Sequence, residues 1–403
     1  MKSFALKELT LSITDGKHGD CKNEENSGYY FISCKDIKDG NILYEDARQI
    51  TKEDFIETHK RTKLECDDIL VTNSGTIGRM AFVTDAIKAN RTTFQKSVAI
   101  IKPNKNIIVP LYLYYAIKSN MDNLAGNANG SAQKNLLLST MRDFNLTIHS
   151  SLSVQRKIAS ILSAYDDLIE NNKKQIKLLE EAAQRLYKEW FVDLRFPGHE
   201  NVPVVVGVRE GWERKRIKEV VATTSGGTPS RGHAEYYRDG SFFWIKTKEL
   251  DDGFIFETEE LISEEAVNKS SAKILKTGSI ILAMYGATIG KLGITTTEMT
   301  CNQACCVFDM STFKNGTEFL FCWLLEHRNF LIHQGKGAAQ PNLSQEMIKN
   351  FEIILPDIQI LEKFSSITSE LFALKSSFQK KILLLKSKRD AILPKLTSGE
   401  IEV

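Results

Sequence analysis

The chain repeats itself once over nearly its whole length. Phe31–Ile42 reads FISCKDIKDGNI, and at an offset of 213 residues Trp244–Ile255 reads WIKTKELDDGFI. Two more landmarks follow in the same order: TIGR at 76–79 returns as TIGK at 288–291, and AQKNL at 132–136 returns as AQPNL at 339–343. Two long copies are not a solenoid, whose repeats are short and numerous. The duplication instead predicts pseudo-two-fold symmetry, which suits a partner that is itself two-fold, such as duplex DNA.

Each copy ends in a segment with the spacing of a coiled-coil helix. No proline or glycine interrupts residues 152–194, enough for a helix of about 40 residues and roughly 60 Å before Pro197 and Gly198. The second helix is expected to end at Pro394. The apolar positions alternate by three and four residues. They are Ile158, Leu162, Tyr165, Ile169, Asn172 (the polar member), Ile176, Leu179, Ala183, Leu186 and Trp190, then Phe364, Ile367, Leu371, Leu374, Phe378, Lys381 or Ile382, Leu385, Lys388 or Arg389, and Ile392.

Two helices of matched length at equivalent places are expected to pair with each other. Because each follows its own globular copy, a two-fold relation makes the pair antiparallel. The alternative is that each helix packs separately on its own domain as an amphipathic helix. Asn172 is interpreted as a register-setting or tolerated seam residue and not as a ligand.

The composition is that of a soluble globular protein with several domains. The 403 residues are 42% hydrophobic and 26% charged, with a net charge of only +2, so any nucleic-acid surface must come from local segregation of charge. The N-terminal sequence MKSFALKELTLS has no apolar stretch of signal-peptide length, and no apolar run is long enough to span a membrane. Seven cysteines without CxxC spacing fit reduced thiols, which predicts a cytoplasmic protein.

The globular copies are rich in short β-branched and aromatic runs separated by Gly, Asn and Asp turns, with a helical stretch late in each. This pattern predicts an α+β fold, built on a strongly curved, antiparallel β-sheet with helices. Four regions follow: a first globular domain at 1–150, a central spacer helix at 151–196, a second globular domain at 205–357 and a C-terminal spacer helix at 358–396.

Several segments resemble catalytic or ligand-binding motifs but lack residues that those motifs require. Gly286–Leu292 resembles a phosphate-binding loop but is one residue short between its glycines and has Leu292 at the magnesium-binding position, so a hairpin turn is favoured. The three cysteines within 301–306 have no histidine at metal-ligand spacing, and a half-buried strand and turn is favoured there. No Gly-rich cofactor loop, amino-methyltransferase motif or nuclease motif occurs. We therefore predict no catalytic residue, no metal and no cofactor.

Polar, basic and small residues recur in loops at corresponding places of both copies. The pairs are 14–19 with 225–231, 73–76 with 285–288, and 129–134 with 336–341. Glycine lets a backbone approach phosphate closely, and Lys or Arg adds charge; the same loops could be tight turns with solvated ends. The candidate nucleic-acid-binding residues are Lys17, His18, Asn73, Ser74, Thr76, Arg79, Lys134, Thr228, Ser230, Arg231, Tyr285, Thr288, Lys291, Lys336 and Gln340.

Taken in order, these segments resemble the specificity subunits of type I restriction-modification systems. Each is weak alone, but their order, repeated twice with a long helix after each, is specific and spans essentially the whole chain. The segments that carry the resemblance are DGKHG at 15–19, SGGTPS at 225–230, the two TIG(R/K) turns, AQPNLS at 339–344, QRKI at 155–158 and LPKLTSGE at 393–400. The first copy departs from the pattern, with AQKNL where the second has the fuller AQPNLS.

The resemblance implies two target-recognition domains held apart by an antiparallel helical spacer, each domain reading one half of a split double-stranded DNA sequence. It also implies partners: two methyltransferase subunits, and restriction subunits in the full complex. The subunit itself would be non-catalytic. Since recognition domains of this family diverge most at base-contacting positions, the resemblance assigns no base-reading residue.

Two other interpretations remain from different functional classes. The chain could be the recognition part of a fused restriction-methylation enzyme, although the cofactor motifs of such an enzyme are missing from it. It could also be a DNA-independent, pseudo-symmetric scaffold that serves only protein assembly. Salt-dependent binding to duplex DNA separates the scaffold from a DNA reader, because phosphate contacts weaken steeply with salt.

Overall fold

A computed structural model describes residues 1–128, 135–335 and 342–403. The chain divides into two compact units, the first made of Met1–Leu168 with Leu385–Val403 and the second of Ile169–Leu384. Each unit therefore contains a piece of both long helices. Among the helices of the described residues, none combines the length and apolarity that a membrane crossing requires.

The first unit is an α+β domain. Its helices are α1 (Lys52–Thr62), α2 (Ala86–Ala89), α3 (Pro110–Ser119), α4 (Met121–Gly126) and α5 (Leu138–Asp143). Its strands are β1 (Lys2–Ala5), β2 (Thr10–Asp15), β3 (Tyr30–Ile32), β4 (Ile37–Lys38), β5 (Asn41–Ile42), β6 (Ile69–Thr72), β7 (Met80–Phe82), β8 (Thr92–Phe94), β9 (Val98–Pro103) and β10 (Asn145–Ile148). The main sheet is antiparallel in the order β2-β9-β6-β7, beside smaller pairs β1-β10, β4-β5 and the parallel β3-β8.

The central strands are apolar at successive positions because the sheet is covered on both faces. In β6, Ile69 and Val71 face the core that contains α3, whereas Leu70 faces a second cluster with Ile32 and Phe94. Successive side chains of a strand point to opposite faces. An uninterrupted apolar run is therefore the pattern expected of a sheet covered on both sides.

The second unit repeats this architecture. Its helices are α7 (Ile217–Val220), α8 (Glu264–Lys269), α9 (Thr317–Glu326), α10 (Arg328–Gln334) and α11 (Gln345–Asn350). Its strands are β11 (Val204–Val205), β12 (Val208–Arg209), β13 (Glu213–Arg216), β14 (Ala222–Ser225), β15 (Phe242–Ile245), β16 (Gly253–Ile255), β17 (Leu261–Ile262), β18 (Ile280–Ala283), β19 (Leu292–Thr295), β20 (Thr300–Cys301), β21 (Cys305–Asp309) and β22 (Glu352–Leu355). The main sheet runs β14-β21-β18-β19-β16, and its edge strand β16 is parallel to β19.

These two units confirm the predicted α+β fold with an internal duplication. The expectation of purely antiparallel sheets was wrong in detail, since β16 pairs parallel to β19 and β15 parallel to β20. The expectation of half-buried cysteines was also wrong: Cys301, Cys305 and Cys306 are 0% exposed. Cys306 and Cys305 point to opposite faces of β21, and both faces are covered by core clusters.

The first long helix, α6, spans Leu152–Tyr187 and continues into a π-helical turn at Lys188–Val192. The second, α12, spans Ile358–Ser398. In the first unit, Leu162 of α6 shares a core with Leu393 of α12, and Asp166 pairs with Arg389. The two helices therefore run antiparallel to each other in this unit.

The second unit shows the same direction by its own contacts. Glu180 Oε1 lies 2.8 Å from Lys375 Nζ, and the ring of Tyr187 packs against Phe364 with centroids 6.4 Å apart. The predicted antiparallel pairing of the two long helices is confirmed. Asn172 lies in the α6 seam, 3% exposed, as the pattern predicted.

The prediction that Pro394 ends the second helix was wrong, because α12 continues to Ser398. A proline in a helix removes one hydrogen bond to the carbonyl four residues earlier. Here that carbonyl belongs to Asp390, an exposed residue whose backbone water can solvate. Leu393 and Leu396 are only 6% and 3% exposed, so their burial in the first core offsets the lost bond.

The predicted seam of α12 was also wrong in part. Ile367 and Leu374 are 47% and 49% exposed, whereas their neighbours Thr368 and Lys375 are 0% and 4% exposed. The two polar side chains tolerate burial because their polar atoms have partners: Thr368 Oγ1 donates to the Phe364 carbonyl at 2.8 Å, and Lys375 pairs with Glu180. Apolar spacing alone therefore selected the wrong face along this stretch.

One tight crossing recurs in both units. After β2 the chain passes so close to the end of β8 that a Cβ at Gly16 would lie 2.1 Å from the carbonyl oxygen of Phe94. After β14, a Cβ at Gly226 would lie 2.1 Å from the carbonyl oxygen of Cys301. A backbone carbonyl cannot move aside as the end of a flexible side chain can. Only glycine fits either crossing, and both loops that follow are held in the same place.

We predict that Gly16→Ala destabilises the protein by about 1–3 kcal/mol or more, the usual cost of overpacking a filled site. Gly19→Ala is the matched control, since nothing lies within 4 Å of a Cβ built at Gly19. Thermal unfolding of both variants measures the difference. Equal melting temperatures for Gly16→Ala and the wild type would show that the crossing is loose.

Candidate nucleic-acid interface

Backbone hydrogen bonds align the first pair of candidate loops and correct the sequence match by one residue. Lys17 N donates to the Phe94 carbonyl at 2.8 Å, and Gly227 N donates to the Cys301 carbonyl at 2.9 Å. Lys17 thus corresponds to Gly227 and His18 to Thr228, an offset of 210 where the sequence comparison used 211. The glycine crossing defines this alignment. Comparison of the small residues in the two sequences alone could not define it.

Lys17 is turned toward helix α1. Its Nζ lies 3.5 Å from Glu57 Oε2 and 4.0 Å from Asp54 Oδ1, and its side chain is 23% exposed. The positive charge is therefore shared with two carboxylates of the same domain.

His18 lies at the surface on a buried carboxylate. Its side chain is 59% exposed, and its Nε2 lies 2.9 Å from Asp15 Oδ2. Arg61 Nη2 donates to the other oxygen of Asp15 at 2.6 Å. Asp15, only 7% exposed, fixes the position of the imidazole at the edge of the loop.

A cleft of about 270 Å³ opens beside His18. It brings together three predicted residues, His18, Asn73 and Ser74, and adds Lys96. The sequence analysis missed Lys96, which lies between β8 and β9 and is exposed. Its position in the second unit is occupied by Gln303, so a search for basic residues that recur could not find it.

Asn73 forms the floor of this cleft and is 9% exposed. Its carbonyl accepts from Leu136 N at 2.8 Å, which ties the end of β6 to the segment before α5. Its side-chain Oδ1 is buried and has no hydrogen-bond partner among the described residues.

The segments with TIG(R/K) are hairpin turns, as predicted. Gly78 N donates to the Thr72 carbonyl and Gly290 N to the Ala283 carbonyl, each at 2.9 Å. The turn has seven residues from Thr72 to Gly78 and eight from Ala283 to Gly290, so the second copy contains one more residue. Gly78 and Gly290 have φ of +89° and +81°, a region that favours glycine.

This extra residue corrects a second correspondence. Leu343 N donates to the Met284 carbonyl at 2.8 Å, as Leu136 N does to Asn73, so Met284 and not Tyr285 occupies the position of Asn73. Tyr285 then corresponds to Ser74. Beyond them, Thr76 is exposed and Thr288 half-buried.

Arg79 and Lys291 directly precede the return strands of the two hairpins, and Arg79 does not line the cleft of the first unit. Arg79 Nη1 donates to the Cys34 carbonyl at 3.4 Å. Lys291 Nζ lies 2.9 Å from Asp252 Oδ2 and 3.1 Å from Asp251 Oδ1. Both cations thus have partners within their own unit.

Arg231 is stacked and paired in the first loop of the second unit. Its guanidinium carbon lies 4.1 Å from the ring centroid of Tyr237 and 5.5 Å from that of Trp244, and its Nη2 donates to Glu260 Oε2 at 2.6 Å. Hydrogen bonds from Lys246 and Arg231 hold the pKa of Glu260 below its usual value. The sequence analysis missed this aromatic platform because nearness along the chain does not show that Tyr237 and Trp244 pack against Arg231.

Thr228 and Ser230 lie on the same loop, and both are exposed. The Thr228 hydroxyl donates to Gln303 Oε1. The three remaining candidates, Lys134, Lys336 and Gln340, lie outside the described residues.

Asp252 joins the hairpin of the second unit to helix α10. It accepts hydrogen bonds from Arg328, from Lys291 and from the backbone of Leu292, and its φ is +59°. Although burial opposes ionisation, these donors hold the pKa of Asp252 below its usual value. Its importance was missed because Arg328 has no charged counterpart: Met121 occupies that place against Gly78.

We predict that Asp252→Asn lowers stability by about 1–3 kcal/mol at neutral pH, because the half-buried cations Lys291 and Arg328 lose a charged acceptor. Since the folded pKa is depressed, the contribution is present above the unfolded pKa of about 3.9 and is lost as pH falls through the folded value. The melting-temperature gap between wild type and variant should close in acid. Asp251→Asn is the control, because the Asp251 side chain is 90% exposed. A melting-temperature difference that does not change with pH would contradict the ion pairs of Asp252.

Comparison with known proteins agrees with the geometry. The family model described as the type I restriction modification DNA specificity domain matches residues 1–181 and again residues 209–385. The MjaIX specificity subunit of a type I restriction enzyme of Methanocaldococcus jannaschii is 31% identical over 383 residues, which cover 93% of this chain and 87% of that protein. The HindI specificity subunit of Haemophilus influenzae is 25% identical over 80% of this chain and 84% of its own.

A solved structure supports the fold. The type I restriction-modification S subunit from M. genitalium superposes with a TM-score of 0.59 over 98% of this chain and 96% of its own, at 15% identity. The family match covers most of the chain and falls once on each copy of the duplication. This chain therefore belongs to the family of type I restriction-modification specificity subunits.

Proposed function

We propose that the chain binds double-stranded DNA at a bipartite target, with the domain at 1–150 reading one half-site and the domain at 205–357 reading the other. One observation carries the proposal: the two units hold corresponding loops on the same glycine crossings and central sheet pairings, but with different side chains. A matched scaffold with different side chains is suited to reading two different sequences in the same manner.

The corresponding positions show the contrast. His18 is replaced by Thr228, Lys96 by Gln303 and Asn73 by Met284. Meanwhile the glycine crossings are the same and the main sheets share their central pairings. The two units thus share the glycines and strand pairings that the backbone requires, whereas the side chains that could contact bases differ between them.

The candidate residues divide by chemistry into two groups. Positioning on phosphate suits Lys17, Arg79 and Lys291, whose charges lie close to the turns. Base reading suits Asn73, His18 and Arg231, because amide, imidazole and guanidinium groups match base edges. Ion pairs within the domain oppose phosphate binding, so a cation held by carboxylates contributes less than a free one.

We further infer that two methyltransferase subunits dock on this chain, and restriction subunits join in the full complex. The type I restriction enzymes to which the relatives belong support this assembly. In it the chain supplies recognition and its partners supply catalysis. The purified chain alone is expected neither to bind S-adenosylmethionine nor to methylate or cut DNA.

Exchanging one domain tests the modular proposal. Residues 1–150 are replaced by the first domain of another family member, and the chimera is assembled with its methyltransferase partner. The DNA it methylates is then sequenced by a method that detects methylated bases. One half of the motif should change and the other half should remain; a simultaneous change in both halves would contradict independent reading.

The long helices are proposed to set the gap between the half-sites. Four added residues lengthen a helix by about 6 Å and rotate its far end by about 400°, a net 40°. One base pair adds about 36° of twist and about 3.4 Å of rise. Rotation matches one base pair, and a misrotated domain loses its groove contacts, whereas a length error of about 2–3 Å can be absorbed by slight bending.

We therefore predict that inserting four helix-forming residues after Asn171 lengthens the non-specific gap by one base pair. A second insertion near Leu384 keeps the flanking pairs Glu180–Lys375 and Asp166–Arg389 in register. A conservative substitution at the same sites without insertion is the control. Recovery of the original gap from the insertion variant would show that the helices do not set the spacing.

A further inference from the structure

The cleft in the first unit contains a polar group that the fold does not use. Asn73 is 9% exposed, and within the described residues its Oδ1 has no donor. A buried acceptor without a partner destabilises the folded state. Packing does not require an amide here, because the corresponding position of the second unit holds Met284, 5% exposed, on the same backbone.

The mouth of the cleft is positively charged. The Lys96 side chain is exposed, and no carboxylate of the described residues pairs with its ammonium. Among the described residues that line the cleft, Asp15 is the only acidic one, and its two oxygens are engaged by Arg61 and His18. Leu136 and Leu137 add an apolar wall. The cleft thus offers a cation at the rim, an apolar side and, at the floor, the Asn73 carboxamide, whose Oδ1 is shielded from solvent.

We propose that this cleft reads an adenine of the first half-site. Rotation of the Asn73 side chain turns Oδ1, which is buried in the free protein, into the cleft, where it accepts from adenine N6 while Nδ2 donates to N7. This is the bidentate match between an amide and an adenine edge. Lys96 contacts a neighbouring phosphate as a point charge. This inference rests on the proposed function and specifies which base one domain recognises.

The second domain does not read its half-site in this way. Met284 has no acceptor or donor, and Gln303 in place of Lys96 has no charge. The adenine read by a carboxamide at this position therefore belongs to one half-site alone.

The test uses the subunit assembled with its methyltransferase partner on a library of random duplexes. Wild-type complex should require adenine at one position of the first half-site. Asn73→Ala should accept other bases there, with selectivity reduced roughly 5- to 150-fold, while the second half-site is unchanged. Asn73→Asp keeps an acceptor and should favour adenine or cytosine, which carry exocyclic amino groups. Asn106→Ala, on an exposed loop of the same unit, is the matched control.

Lys96→Ala should weaken binding to all sequences alike, leave the motif unchanged and reduce the slope of log affinity against log salt by about one. Thermal unfolding separates recognition from structure: Asn73→Ala should melt at the wild-type temperature or above, because it removes an unpaired buried oxygen. A lower melting temperature with lost methylation at every sequence would assign Asn73 a structural role and overturn the proposal.

Two further results discriminate between this inference and the proposed function. If Asn73→Ala methylates the wild-type motif with full selectivity while a domain exchange still changes one half-site, the inference fails and the proposed function stands. If the motif does not depend on which domain is present, both fail.

Discussion

The largest core of each unit is completed by segments of both long helices. In the first unit, Ile158 and Leu162 of α6 pack in the same cluster as Leu393 and Leu396 of α12. In the second, Tyr187 of α6 and Phe364 of α12 share the core with the sheet. Since burial of apolar surface is the main stabilising contribution to folding, neither unit has its full core without both helices. The pairing of the helices and the folding of the domains therefore depend on each other.

Ion pairs whose cations are buried and whose carboxylates are half-buried make the helix contacts specific. Arg389 pairs with Asp166, which also accepts from the Tyr115 hydroxyl at 2.7 Å, and in the second unit Lys375 pairs with Glu180. Burial, followed by the charge of Asp166, raises the pKa of Tyr115 far above its usual value, so its hydroxyl stays a donor. A buried charge without its partner is costly, and a shifted helix register would separate these pairs. Each unit thus secures its own part of the helix pair with a cation–carboxylate contact.

The architecture could be predicted from the sequence because it depends on signals that repeat. The duplication, the length of α6 and the hairpin turns all follow from spacing and glycine placement, and all are observed. Features that depend on how side chains pack in three dimensions could not be predicted: the burial of Lys375 in the α12 seam, the continuation of α12 through Pro394 and the aromatic platform under Arg231. The candidate site was found only in part, since a search for recurring residues overlooks those that differ, such as Lys96. Differences between the copies are nevertheless what two independent half-sites require.

The most direct test of the account is the sequence methylated by the wild-type subunit together with its methyltransferase partner, determined by sequencing that detects methylated bases. Because the two units share a backbone but differ at His18 and Thr228, and at Asn73 and Met284, the account predicts two different half-sites separated by a fixed non-specific gap. A continuous motif, or two identical half-sites related as a palindrome, would contradict it.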